Sequence, residues 1–137
     1  MREKGVNSMK LTNKEVLENI EGLSTLMQDS MPLPAVVSFA VVRNFKTLQP
    51  IAEDIYKERL NILERYGTAA MDDENGTAYY DIPKEKQQAV NQELEDLLAV
   101  TTSTPLVTFA LDKLTGYDIP LSVMNVLYFM VEDGEGN

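Results

Sequence analysis

The chain of 137 residues contains no histidine and no cysteine. Without histidine there can be no Ser-His-Asp triad, no HExxH zinc site, no imidazole acid/base catalyst and none of the usual imidazole metal ligands. Without cysteine there is neither a disulfide framework nor thiolate chemistry, which fits a reducing cytoplasm. Neither a GxxxxGK[ST] loop nor a GxGxxG turn occurs, so no familiar phosphate cradle is present. Long apolar runs are missing too. The longest, "MPLPAVVSFAVV" at 31–42, is broken by Pro32 and Pro34 and falls short of the ~20 residues of a spanning helix. The opening "MREKGVNSMK" has no apolar stretch of the kind a signal peptide needs. The absences predict a protein without catalytic activity, cofactor, bound metal or membrane contact.

Basic residues are scarce as well. Twelve Lys+Arg stand against 22 Asp+Glu, a formal charge of −10 that repels nucleic-acid backbones and anionic lipid surfaces. The only basic grouping, Arg43, Lys46, Lys57, Arg59 and Arg65, is interleaved with Glu53, Asp54, Glu58 and Glu64 and reads as a solvated, ion-paired helix face. At 44% hydrophobic and 25% charged residues the composition is that of a folded chain, and its length suits one domain.

Hydrophobic spacing predicts a mainly helical α+β domain over residues 9–132: a small bundle of three to four helices around one long, proline-kinked helix, with a small hairpin or strand element. Thr12 and Glu15 have capping-box spacing ahead of a stripe of Val16, Ile20, Leu23 and Met27. The second helix is expected from Pro34 to Tyr66, with Gly67 as a left-handed cap. Its seam, Val41, Phe45, Leu48, Ala52, Ile55, Arg59, Ile62 and Tyr66, alternates steps of four and three residues and should pack against the first and last helices. Pro50 removes one internal bond from that helix, so a bend is expected there. Arg59 is the one polar side chain on the seam. Buried, it needs an acidic partner; exposed, it marks where the seam leaves the core.

Asn75-Gly76 signals a two-residue hairpin turn, followed by the strand formers "TAYYDI". Pro83 should open a third helix with Val90, Leu94, Leu97 and Leu98 inward. In "TTSTPLVTFAL", Val107, Phe109 and Leu111 alternate with Thr108 and Ala110 as a half-buried strand, and a last helix is expected from Pro120 to about Val131. Residues 133–137 read as a frayed tail.

The acids Asp72, Asp73 and Glu74 sit at the hairpin tip, but counting from Asp72 the sixth position is Thr77, not the glycine of a calcium loop. They read as a solubilising turn. Tyr79 and Tyr80 are adjacent, so a strand sends them to opposite sides and leaves at least one as a candidate protein-binding anchor. Tyr117, Tyr128, Phe129 and Met130 read as core.

The stretches "MKLTNKEVLENIEGLSTL", "LPAVVSFAVVRNFKTLQPIAEDIYKERLNILERYG", "DENGTAYYDIPKEKQQAVNQELEDLL" and "IPLSVMNVLYFMVE" together resemble a family of small proteins encoded by phages and prophages of Gram-positive bacteria, known only by a label of unknown function (DUF1617). The likeness runs from Met9 to about Glu132 and departs from the family in "TTSTPLVTFALDKLTGYDI". It implies a phage origin, a natural start at Met9 with residues 1–8 as an unstructured or added extension, and no reaction type. No functional position can be carried over from it.

The expected function is therefore a non-enzymatic interaction protein in the host cytoplasm that binds a host or phage protein through a helix face or the hairpin; one version of it inhibits a host defence protein by charge mimicry. Glu15, Glu18 and Glu21 on the first helix, with Glu93 and Asp96 on the third, would carry the mimicry, and Arg59, Tyr79 and Tyr80 are further candidate contacts. The alternative is a virion or assembly accessory of the head or tail, for which homo-oligomerisation would be natural.

Overall fold

The structure, a computed structural model, describes residues 6–29 and 31–132. Its regular elements are β1 (Val6–Thr12), α1 (Asn13–Gln28), α2 (Ala35–Tyr66), β2 (Thr68–Met71), β3 (Ala78–Asp81), α3 (Gln87–Ala99), β4 (Thr101–Val107) and α4 (Leu121–Leu127). β1 pairs antiparallel with β4, and β2 with β3. The protein is mainly helical with two small two-stranded sheets, an α+β arrangement.

Local chemistry sets the entry to α1. The Glu15 amide donates to the Thr12 hydroxyl at 3.1 Å, and the Glu15 carboxylate accepts the Thr12 amide at 2.8 Å, so two otherwise unpaired donors are satisfied reciprocally. Val16, Ile20, Leu23 and Leu26 are buried. Met27, expected on that stripe, is 44% exposed, because Leu26 occupies the inward position one turn after Leu23.

α2 runs through Pro50 as one helix. Pro50 and Lys46 are both exposed, so the Lys46 carbonyl that loses its donor lies where water can reach it. The inward seam is as read from the spacing: Val41, Leu48, Ala52, Ile55 and Ile62 are buried, Phe45 and Tyr66 half-buried. Arg59 is exposed and needs no buried partner. At the far end Gly67 is extended (φ −126°), not left-handed. Its glycine answers a close approach: a Cβ there would lie 2.5 Å from Ile82 Cδ1 and 3.0 Å from the Asp81 carbonyl oxygen.

β1 was not anticipated. Residues 6–8, expected in an unstructured extension, pair with β4 in the register Val6↔Val107 to Thr12↔Thr101. Residues 1–5 and the tail at 133–137 lie outside the described residues. The inward phase of β4 also differs from the expectation. Thr104 and Leu106 are buried, Val107 is half-buried, and Leu111 is 57% exposed beyond the strand's end. Phe109 is buried after the strand has ended, bridged to Val131.

Asn44, fully buried on α2, explains how β4 docks. Its Nδ2 donates to the Val107 carbonyl and its Oδ1 accepts the Val107 amide, each at 2.8 Å. Val107 therefore turns its backbone groups away from β1. Pro105 shares that parity, so its missing amide falls on the side where the ladder has no use for one.

The Thr104 hydroxyl is buried and has no hydrogen-bond partner among the described residues. An unpaired buried hydroxyl costs about 1–3 kcal/mol, and valine has nearly the same shape. Thr104→Val is expected to raise the melting temperature, measured by calorimetry; a lower one would mean that the hydroxyl is satisfied.

α4 packs on α1, where Gly22 lets Val126 come within 3.0 Å of the position a Cβ would take. The last helix was expected on the α2 seam, but α3 and β4 occupy that place. It is also shorter than expected, since Tyr128–Met130 form a 3-10 turn. Val123, Leu127 and Met130 are buried and Phe129 is half-buried, whereas Tyr117 and Tyr128, read as core, are exposed at 44% and 73%.

Between β2 and β3 the turn is longer than two residues. The Asp72 amide donates to the Thr77 carbonyl and Gly76 alone takes positive φ (+67°), so Asn75 does not adopt the left-handed conformation a two-residue turn requires.

Candidate protein-binding surface

The end of α2, the β2–β3 hairpin and α3 form one corner. Glu93 on α3 accepts Arg65 Nη1 at 2.9 Å and the Tyr66 hydroxyl, and the Arg65 guanidinium lies 5.7 Å from the centre of the Tyr66 ring. The Tyr66 hydrogen bond, then the Arg65 one, holds the Glu93 carboxyl below its ordinary range. Glu93 in turn holds the Tyr66 phenol above its own. Across the corner the Tyr80 hydroxyl donates to Glu64 at 3.2 Å, and desolvation followed by that bond pushes the phenol up. Tyr80 is thus half-buried and engaged, while Tyr79 is 51% exposed opposite Ala70, with Met71 63% exposed on the same hairpin.

A depressed carboxyl contributes stability that is present above its unfolded pKa and lost as pH falls through the folded value. A raised phenol contributes stability present below its unfolded pKa and lost as pH rises through the folded one. Glu93→Gln is therefore expected to flatten the acid side of the stability profile and bring Tyr66 ionisation back toward the ordinary tyrosine value. Tyrosinate absorbance against pH reads the second effect; an unchanged titration would mean that the pair does not form in solution.

The expected mimicry acids do not share one surface. Glu93 is engaged as described, and Asp96, exposed on the same helix, accepts Gln92 Nε2 at 2.9 Å. Glu21 stands on the groove between α1 and α2, with Phe45, Glu53 and Tyr56. Glu15 and Glu18 instead line a groove of about 550 Å³ along β1, facing Phe129, Val131 and Glu132. Tyr128 borders that groove and also ends an outward stripe on α4, where Leu121 is 85% exposed beside Met124 and Asn125. A helix with apolar side chains on both faces is unusual at a surface.

At the hairpin tip, Asp72 accepts the Glu74 amide at 2.9 Å and Asn75 Nδ2 at 3.3 Å, so this acid is used within the turn. Among the described residues, no group of three or more carboxylates converges as a metal site, and no helix is long and apolar enough to cross a membrane.

No family model, curated protein or solved structure matches the chain. The surface therefore stands on its own geometry. Of the residues that shape it, Glu132, Lys10 and the outward stripe of α4 were missed from the sequence. The alternation of Met9 and Leu11 with Lys10 and Thr12 was a legible strand signal; in "LSVMNVLYFM" the aromatic end, Tyr128 to Met130, was read as core, and the double-sided apolar pattern went unused.

Proposed function

We propose that this is a small acidic phage protein that works by binding another protein, of host or phage, in the infected cell, inhibition of a host defence protein being one version of that role. The observation that supports it best is the pair of exposed side chains Leu121 on α4 and Tyr128 just after it, with half-buried Met124 between them, which continues through Tyr128 into a groove walled by carboxylates. Exposed aromatic and aliphatic anchors beside charged rims are what protein interfaces use. The resemblance to phage and prophage proteins supplies the setting, and the charge of −10 disfavours nucleic acid as the partner.

Affinity capture of the tagged protein from infected-cell lysate, at two salt concentrations and identified by mass spectrometry, tests the reading. A single stoichiometric partner whose recovery falls with salt is the expected result. Recovery within purified virus particles, or of this protein alone as a defined oligomer, would move the function to assembly.

A further inference from the structure

The β1–β4 sheet has two outer edges, and the fold treats them differently. On β4, Asn44 satisfies the outward groups of Val107. Because Val6 is the register partner of Val107, β1 turns the backbone groups of Val6, Ser8, Lys10 and Thr12 to the opposite edge. Of these, the Thr12 amide is taken by Glu15, and Ser8 and Lys10 are exposed. An uncovered strand edge is a template for pairing with another extended chain.

The groove described above follows this edge. Met9, Lys10 and Leu11 all line it, although consecutive strand residues point to opposite faces, and no β4 residue does. It therefore runs beside β1 on the side away from β4. The facing walls bring Glu15 and Glu18 from α1 and Glu132 from the segment after α4, with Phe129 and Val131 as apolar surface. Among the described residues that line it, three carboxylates stand against the one cation of Lys10.

We propose that this groove takes an extended basic segment of another protein, which adds to β1 as a third strand. Its backbone meets the outward groups of Val6, Ser8 and Lys10. Its lysine or arginine side chains meet Glu15, Glu18 and Glu132, and the alternate apolar ones rest on Phe129, Val131 and Tyr128. The inference rests on the binding role proposed above and names its docking site and the chemistry of the partner. A second copy of this chain is disfavoured, since it brings the same three carboxylates and a further charge of −10. The chain's own last residues, with Asp133 and Glu135, carry the same unfavourable sign. A docked helix would leave the edge of β1 unpaired.

The test titrates the full chain with a short peptide of alternating lysine and valine, and with its glutamate-valine counterpart, by calorimetry and amide NMR. Two variants accompany it. Ser8→Pro removes one donor from the free edge and leaves the ladder to β4 intact, because Ser8 lies opposite Pro105 in the outward parity. The pair Glu18→Lys and Glu132→Gln removes the acid from the wall, spares Glu15, which caps α1, and keeps an oxygen to accept the Thr108 hydroxyl that Glu132 takes at 3.1 Å. Circular dichroism checks that both remain folded, and the wall pair, whose side chains are exposed, carries the test if the proline variant does not.

The expected result is saturable one-to-one binding of the lysine peptide alone, with shifts at Val6–Lys10, weakened by salt and about tenfold or more by either variant. Absence of saturable binding, equal binding of the acidic peptide, or binding indifferent to both variants overturns the proposal. So does self-association through β1, which would make a second copy the occupant. Lysate capture with the same variants separates the two levels. A partner held equally well by wild type and variants leaves the binding role standing and removes this site, whereas no partner for any of them removes the binding role itself.

Discussion

Leu48→Asp is expected to abolish the cooperative thermal unfolding transition. Leu48 is fully buried at the middle of the α2 seam, within one core that includes Leu23, Ala52, Ile55, Leu106 and Leu127. Removing a buried leucine costs about 2–5 kcal/mol through lost burial and the cavity left behind. A carboxyl group placed there finds no cation, because Arg43, Lys46 and Arg59 are all exposed, and so adds several kcal/mol more or is forced to stay protonated. The sum approaches the roughly 5–15 kcal/mol that holds a typical domain folded. Calorimetry and circular dichroism read the outcome. A soluble, cooperatively folded Leu48→Asp protein would mean that the seam is not the core. The matched control is Arg59→Ala, which lies on the same seam but is exposed and is expected to change stability by no more than about 0.5 kcal/mol.

Asn44→Leu should come next in effect, for a polar reason. The substitution keeps the number and branching of side-chain heavy atoms and makes the side chain more apolar, so a view based on hydrophobicity alone expects stabilisation. The two 2.8 Å hydrogen bonds to Val107 say otherwise. Without Asn44 the amide and carbonyl of Val107 lose their partner on a face closed by α2, at about 1–3 kcal/mol for each unpaired group. The expected result is a loss of about 2–6 kcal/mol in denaturant melts, with fast hydrogen exchange at the Val107 amide and at the β4 end of the sheet. Asn61→Leu, at an exposed position of the same helix where the amide reaches only Glu58, should be close to neutral. Equal effects at the two positions would remove the special role of Asn44.

Asn44 also shows where a sequence reading stops. Its neighbours announced a buried helix face through their spacing, and a lone asparagine among them carried no sign of a partner 63 residues away. The same holds for the surface. Glu15 and Glu18 could be named as exposed acids from the helical period, yet Glu132, which faces them across the groove, is more than a hundred residues further along the chain. Glu21 and Asp96 obeyed the same rule for exposure and ended on other surfaces, because a period of 3.6 fixes the side of a helix and not what stands opposite it.

Where sequence reasoning failed at short range, the cause was a competing pattern. In β4 the run "TPLVTFAL" offers two alternating phases, and Val107 and Phe109 suggested the wrong one. The phase was decided by pairing with β1, which sets Thr104 and Leu106 against Met9 and Asn7 on the inner face. Gly67 was read as a left-handed cap because glycine commonly ends helices so; here the glycine instead leaves room for Ile82 and the Asp81 carbonyl, and a close approach leaves no mark in local sequence.

What the amino-acid sequence determined by itself was what repeats within a few residues or follows from composition. That covers the capping box at Thr12, the α2 seam through Pro50, the hairpin, the excess of acid, and the absence of histidine and cysteine chemistry. Only the tertiary structure decided that β1 exists as a paired strand, that α4 lies on α1 with apolar side chains facing outward, that Asn44 holds Val107 at one edge of the sheet, and that, among the described residues, the other edge runs beside three carboxylates. The division has one physical reason. Helical periods and caps are made by residues within a turn of one another, whereas a sheet edge and the groove beside it are made by segments that the chain brings together only when the core between them closes.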